Sequence, residues 1–247
     1  MAGAIINPHI ISRVLPPGYE GVVLGQNPVG LWMLNETSGN AIDTGTAGVD
    51  GVYSASGITR AGTTVFGLTS PDFWGSSSQS LIIPDDPAWS SYAPASGSQS
   101  WVALMRADQL GLKHFWNKNN ASSHEWTHEI SHSGPKYKVN IYSGGTALIG
   151  RATWTGTDPI LNKEYHYAVT YDHATNTTKL YLNGVLKVTD TNWSGSASGT
   201  SADMWIGNDE GNTARPWDGG LCGLGLFDRV LTQTEITEQH AAAVAGP

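Results

Sequence analysis

The stretch YHYAVTYDHATNTTKLYLNG, Tyr165 to Gly184, decides the fold. Tyr165, Tyr167, Val169 and Tyr171 recur at every second position, so an extended segment presents them on one face and sends His166 and Thr170 to the other. Asp172 to Asn176 follows as turn chemistry, because short polar side chains bond their own backbone. A second strand runs from Thr178 to Leu182. Asn183-Gly184 then supplies the two positive φ values of a type I′ turn into Val185 to Val188. The pattern is that of an antiparallel β-protein.

Outward from this segment, the strand signals are short and regular. They fall at Leu31 to Leu34, Gly51 to Tyr53, Ser80 to Ile83, Ser100 to Met105, His114 to Asn117 and Trp126 to Ile130. Tyr137 to Tyr142, Leu148 to Ala152, Met204 to Ile206 and Leu221 to Phe227 complete the series. Gly, Pro, Asn or Asp separates nearly all of them, and no shift of composition marks a second domain. Residues 1–27 carry Pro8, Pro16 and Pro17 among Ile and Val, with Pro28 just beyond. They read as an extended arm for anchoring or oligomerisation, and residues 28–247 as the sandwich. One helix is expected, Gln233 to Val244. It opens with a capping box, Thr232 to Glu235, and a staple of Leu231 on Ile236, and it stops at Gly246-Pro247.

Composition narrows the function. A net charge of -8 with scattered Lys and Arg leaves no basic stripe for nucleic acid or anionic lipid. No apolar run reaches the roughly 18 residues of a membrane span, and the amino terminus lacks the basic and apolar regions of a secretory signal. Cys222 is the only cysteine, which excludes an intrachain disulfide and a Cys-rich zinc site. Asn35, Asn120, Asn176 and Asn192 open N-x-[ST] triplets, read here as chance in an Asn- and Thr-rich chain.

Three ordered segments, WMLNETSGNAIDTG (32–45), the opening stretch and WDGGLCGLGLFDRVLTQTEI (217–236), resemble the laminin-G-like branch of the concanavalin A-like lectin/glucanase superfamily. The resemblance implies an all-β jelly roll of two antiparallel sheets with a short carboxy-terminal helix. It also implies a candidate structural calcium, for which Asp43 and Asp218 are the acidic positions. The last strand departs from the family pattern, having Cys222 and Gly223 where an acidic residue is usual. Two carboxylates are few for an ion that takes six to eight oxygens.

HEWTHEISH, 124–132, contains H-E-x-x-H twice. A zinc protease needs that motif on a helix, where residues four apart lie about 6 Å from each other. Here Trp126 and Ile130 alternate with polar residues, so the segment reads as a strand that separates such residues by about 13 Å. Glu125 and Glu129 share a face without the intervening Asp of polysaccharide hydrolases. No catalytic residue is assigned. Sugar recognition needs an aromatic plate and polar groups, for which Trp154, Trp193, Asn208, Asp209 and Asn212 are the candidates.

The reading is a non-enzymatic phage virion accessory protein, a head or tail decoration or adhesin in several copies. It would be assembled in the host cytoplasm, held to coat or tail subunits through the arm, and able to bind surface glycans. A stand-alone carbohydrate-binding module, extracellular or at a cell surface, is the first alternative. A divergent glycan hydrolase or lyase is the second.

Overall fold

The structure is a computed structural model and describes residues 18–54, 57–76, 78–89, 97–120, 122–130, 137–142, 147–157, 159–192, 199–210 and 215–247. The described chain starts with helix α1 (Tyr19–Gly25) and strand β1 (Gly30–Trp32), followed by β2 (Val52–Tyr53) and a hairpin of β3 (Thr59–Val65) and β4 (Leu68–Trp74). Next come β5 (Leu81–Ile83), β6 (Gln99–Ala107), and a run of β7 (Lys113–Asn119), β8 (His124–Ile130), β9 (Tyr137–Tyr142) and β10 (Leu148–Trp154). A second run, β11 (Glu164–Asp172), β12 (Thr177–Leu182) and β13 (Val185–Asp190), precedes β14 (Met204–Ile206), β15 (Asp218–Phe227) and helix α2 (Gln233–Ala245).

These strands make two antiparallel sheets. An eight-stranded sheet has the order β13-β12-β11-β6-β15-β4-β3, with β1 paired to β15, and a seven-stranded sheet has the order β10-β9-β8-β7-β14-β5-β2. They form a concanavalin A-like sandwich, as the alternation and the resemblance imply. Asn183 and Gly184 take φ of 53° and 74° between β12 and β13, the expected turn. The core between the sheets is aromatic. Trp101 and Tyr167 from one sheet meet Trp126 and Phe115 from the other, with ring centroids 5.3 and 5.1 Å apart in edge-to-face contacts.

The helix α2 opens with the complete capping box of Thr232 and Glu235, and Leu231 and Ile236 are both buried. Two expectations need correction. Residues 19–25, within the arm, form helix α1 instead of an extended segment, while residues 1–17 lie outside the described residues. Docking explains the helix, since seven residues are too few to hold one in isolation. Tyr19 and Val23 are buried, and the Tyr19 hydroxyl donates to the Gly223 carbonyl at 3.0 Å. Gly223 has φ +59°, and a Cβ there would come within 2.6 Å of the Tyr19 ring. Glycine in the last strand therefore admits α1, which is a physical reason for the departure at that position.

The second correction is the β3–β4 hairpin, which the strand series passes over. β3 is mostly exposed and Pro71 interrupts β4, so the segment lacks both the alternation and the apolar content of a strand. Pro71 is accommodated because the pairing slips between Thr59 and Thr63 opposite it.

Candidate functional site

β8 sorts its residues by face. Trp126 and His128 enter the core, where His128 Nδ1 lies 2.8 Å from the Tyr167 hydroxyl. The H-E-x-x-H segment is thus a strand. His128 is enclosed by Trp101, Phe115, Trp116 and Trp126, and burial pushes its pKa down to about 3. His132 lies outside the described residues.

The other face of β8 carries a polar lattice that strand register lays out in rows. His114, Glu129, Lys138 and Thr153 are successive partners across β7, β8, β9 and β10, and Asn117, Thr127, Asn140 and Arg151 form the adjacent row. A bulge between His114 and Trp116 brings His114 and Asn117, three residues apart, to one face. Glu129 stands 3.0 Å from His114 Nε2 and 3.2 Å from Lys138 Nζ. Asn140 donates to Thr127 Oγ1 at 2.9 Å, and Arg151 Nε donates to Asn140 Oδ1 at 2.7 Å.

Asn208 and Asp209, two of the sequence candidates, join this lattice from the segment after β14. Asp209 Oδ2 lies 2.6 Å from His114 Nδ1, and its other oxygen accepts from Asn119 Nδ2 at 2.8 Å. Asn117 Nδ2 donates to the Asn208 carbonyl at 2.8 Å. Both residues are buried, so they support the site and present no face to a ligand. Burial lowers the His114 pKa, but the hydrogen bonds its ring donates to Asp209 and Glu129 outweigh it and leave the imidazole raised above its ordinary value. Burial likewise opposes ionisation of Glu129, yet His114 and Lys138 pull it down to about 2.

At the β7–β8 turn the lattice meets an open cleft. Asn120, Ser122, Ser201, Ala202, Asp203 and Glu210 line a cavity of about 380 Å³, within the roughly 300–1,000 Å³ of small-ligand sites. Its wall at 199–203 is held from behind by Lys118, whose ammonium has no exposed surface. Lys118 Nζ donates to the Thr200 and Ala202 carbonyls at 2.8 Å each, and lies 2.7 Å from Asp85 and 3.1 Å from Glu125. Glu125 Oε2 also accepts the Thr200 amide at 3.0 Å, and burial pushes this carboxyl up to about 7 despite Lys118. Among the described residues, Asn117 Oδ1, Asn119 Oδ1 and Glu125 Oε1 are buried acceptors with no hydrogen-bond partner. Glu210, next to Asp209, lines the cleft directly.

Other candidates fall elsewhere. Trp154 pairs with Tyr137 on the edge strand β10, four strands from β14, or about 19 Å. Its indole is half-buried, packed against the Gly156 backbone, with Lys187 Nζ 5.4 Å from the ring centroid. Trp193 and Asn212 lie outside the described residues. Asp43 and Asp218 are also kept apart. Asp43 bridges Trp32, which pairs with Leu224, and Asp218 is six residues further along β15, about 20 Å away. The Asp43 oxygens accept the amides of Leu31, Gly45 and Val49 at 2.7 to 2.9 Å. The carboxylate thus closes a turn, and the two aspartates do not form a joint calcium site. Sequence reasoning missed His114, Lys118, Lys138, Asn140 and Arg151, because a polar residue alternating in a strand looks the same whether water or another side chain covers it.

Residues 88–237 match the family model described as the concanavalin A-like lectin/glucanases superfamily. The chain belongs to that superfamily. No curated protein matches its sequence. Among solved structures, this lectin-like sandwich is similar to the ligand-binding domain of botulinum neurotoxin serotype D, solved in complex with N-acetylneuraminic acid, with a TM-score of 0.68 and 12% identity over 89% of this chain and 52% of that one. The binding domain of paraclostridial mosquitocidal protein 1 gives 0.68 and 12%, over 88% and 52%. Botulinum neurotoxin type C, whose cell entry depends on interaction with two ganglioside molecules, gives 0.68 and 10%, over 91% and 52%. The chain spans about half the length of these proteins, and at such identities the likeness is one of fold.

Proposed function

We propose that this protein is a non-enzymatic glycan-binding module that takes a polyhydroxylated ligand in the cleft beside the β7–β8 turn. The observation that carries the reading is the cleft itself. Its amide, hydroxyl and carboxylate lining suits sugar hydroxyls, which both donate and accept, and offers little to an apolar ligand. The superfamily and the binding domains similar in fold support it.

Carboxylate spacing speaks against hydrolysis. Glu125 and Glu129 are four residues apart on one strand, about 13 Å, whereas glycosidases hold their pair within about 9.5 Å. The gap between Glu129 and Asp209 is filled by the His114 ring. A glycan array read with the wild type and with Asp203→Ala/Glu210→Gln tests the cleft. The double variant is expected to bind at least about tenfold more weakly, or about 1.4 kcal/mol. Equal binding by the two proteins, or turnover of a bound polysaccharide, sinks the reading.

The setting we propose with it is a phage particle, with coat or tail subunits as partners of residues 1–17. The proline-rich, apolar character of that segment supports the assignment, as strand addition to a partner needs an extended donor. Removing residues 1–17 is expected to leave the thermal transition of the sandwich unchanged while abolishing incorporation into particles. Incorporation that survives the truncation would refute it.

A further inference from the structure

At the opposite end of β7 from the cleft, the eight-stranded sheet presents one indole to solvent. Of the ten tryptophans nine are described, and Trp32, Trp89, Trp101, Trp116, Trp126 and Trp217 are fully buried, whereas Trp74 is 63% exposed. A single exposed aromatic is ordinary; its fixation and its neighbours set this one apart. The Trp74 Nε1 donates to Thr59 Oγ1 at 3.2 Å, and its backbone amide donates to Gln79 Oε1 at 2.6 Å. Gly75, with φ +65°, then turns the chain, and its amide donates to the Trp217 carbonyl at 2.9 Å.

Carboxylates surround the ring on the same face. Asp218 is the direct cross-strand partner of Trp74, so their side chains stand next to each other. Asp72, two residues before Trp74, shares that face. A Cβ at Gly75 would come within 3.0 Å of Asp218 Oδ2, so the glycine leaves that carboxylate its space. Arg106 is in register with Gly220, the partner of Asp72, and is clamped by Asp108 through two contacts of 2.8 Å.

We propose that Trp74 is a stacking platform for a neutral pyranose, a second glycan subsite separate from the cleft. A pyranose has an apolar C–H face and a rim of hydroxyls. The indole takes the face, and Asp72 and Asp218 accept hydrogen bonds from the rim hydroxyls. Asp72, Asp108 and Asp218 interact with one another and outnumber Arg106 and Lys113, the latter close enough to Asp218 to feel its charge, so the local charge disfavours a sialylated or sulfated ring. Lys113 opens β7 and Asn119 closes it, so the platform and the cleft are about 20 Å apart. One oligosaccharide bound at one end leaves the other end free.

The test is an array of neutral and sialylated oligosaccharides read with the wild type, Trp74→Ala, Trp74→Phe and the cleft double variant. Trp74 is exposed, so its variants are expected to keep the wild-type melting temperature. Trp74→Ala is expected to lose at least about tenfold in affinity for neutral saccharides, with Trp74→Phe between it and the wild type. Saccharide should protect Trp74 from oxidation by N-bromosuccinimide in the wild type. Unchanged affinity in Trp74→Ala, or binding confined to sialylated saccharides, overturns the platform. The cleft variant keeps the failures distinguishable. If it alone loses binding, the cleft reading stands and the platform falls, and the reverse pattern does the opposite.

Discussion

On the outer face of the seven-stranded sheet, His114, Asn117, Glu129, Asn140 and Asp209 are buried and bonded side to side. On the outer face of the eight-stranded sheet, one region is closed over by α1 and α2, which bury His166, and another lies open at Trp74. Both faces alternate away from the aromatic core, yet one is a locked lattice, one part of the other is a helix seat, and the remainder is free surface. The difference teaches that the polar half of a strand pattern has no fixed fate: register and neighbouring elements decide whether it becomes scaffold, dock or contact surface.

The comparison breaks most sharply at His114. His114→Leu leaves the Glu129 and Asp209 carboxylates buried without the imidazole that stands between them, and a loss of about 3–5 kcal/mol in urea unfolding is expected. A loss below about 1 kcal/mol would mean that the lattice is not interlocked. Asn119 and Lys138 still contact the two carboxylates, which places the expected loss toward the lower end of that range.

Acid titration separates the helix-covered region from the lattice by a smaller margin. Burial pushes His166, like His128, down to about 3 from an ordinary 6.5. Between those values the unfolded chain binds protons that the folded chain refuses, so stability falls as pH drops from about 6.5 to 3. Glu129, held at about 2 against an ordinary 4.5, adds a loss only below pH 4.5. Glu125 runs the other way: raised to about 7, it adds stability as pH falls from 7 to 4.5 and partly offsets the histidines. His166→Phe is expected to make the decline of melting temperature below pH 6.5 shallower and leave the part below pH 4.5 in place. A profile identical to wild type would show that the helices do not hold His166 neutral.

Local chemistry was the legible part of the sequence. Asn183-Gly184 and Thr232 to Glu235 specify their turn and cap through bonds a few residues long, and the tyrosines of β11 carry their period on their face. Contacts over long separations were illegible. Tyr19 meets Gly223 across 204 residues, and Asn117 meets Asn208 across 91. Trp74 was hidden by its setting, because Pro71 and the exposed β3 disguise a strand. Of the polar candidates, Asn208 and Asp209 turn inward, while Glu210 beside them, which was not singled out, lines the cleft.

Lys118 has a last consequence. Its ammonium gathers two carbonyls and two carboxylates around a single positive charge, tying the cleft wall to Asp85 just after β5 and to Glu125 of β8 much as a bound ion would. This cation is covalently tethered and cannot dissociate. The wall at 199–203 therefore keeps its cross-link whatever the concentration of free metal or chelator around the protein.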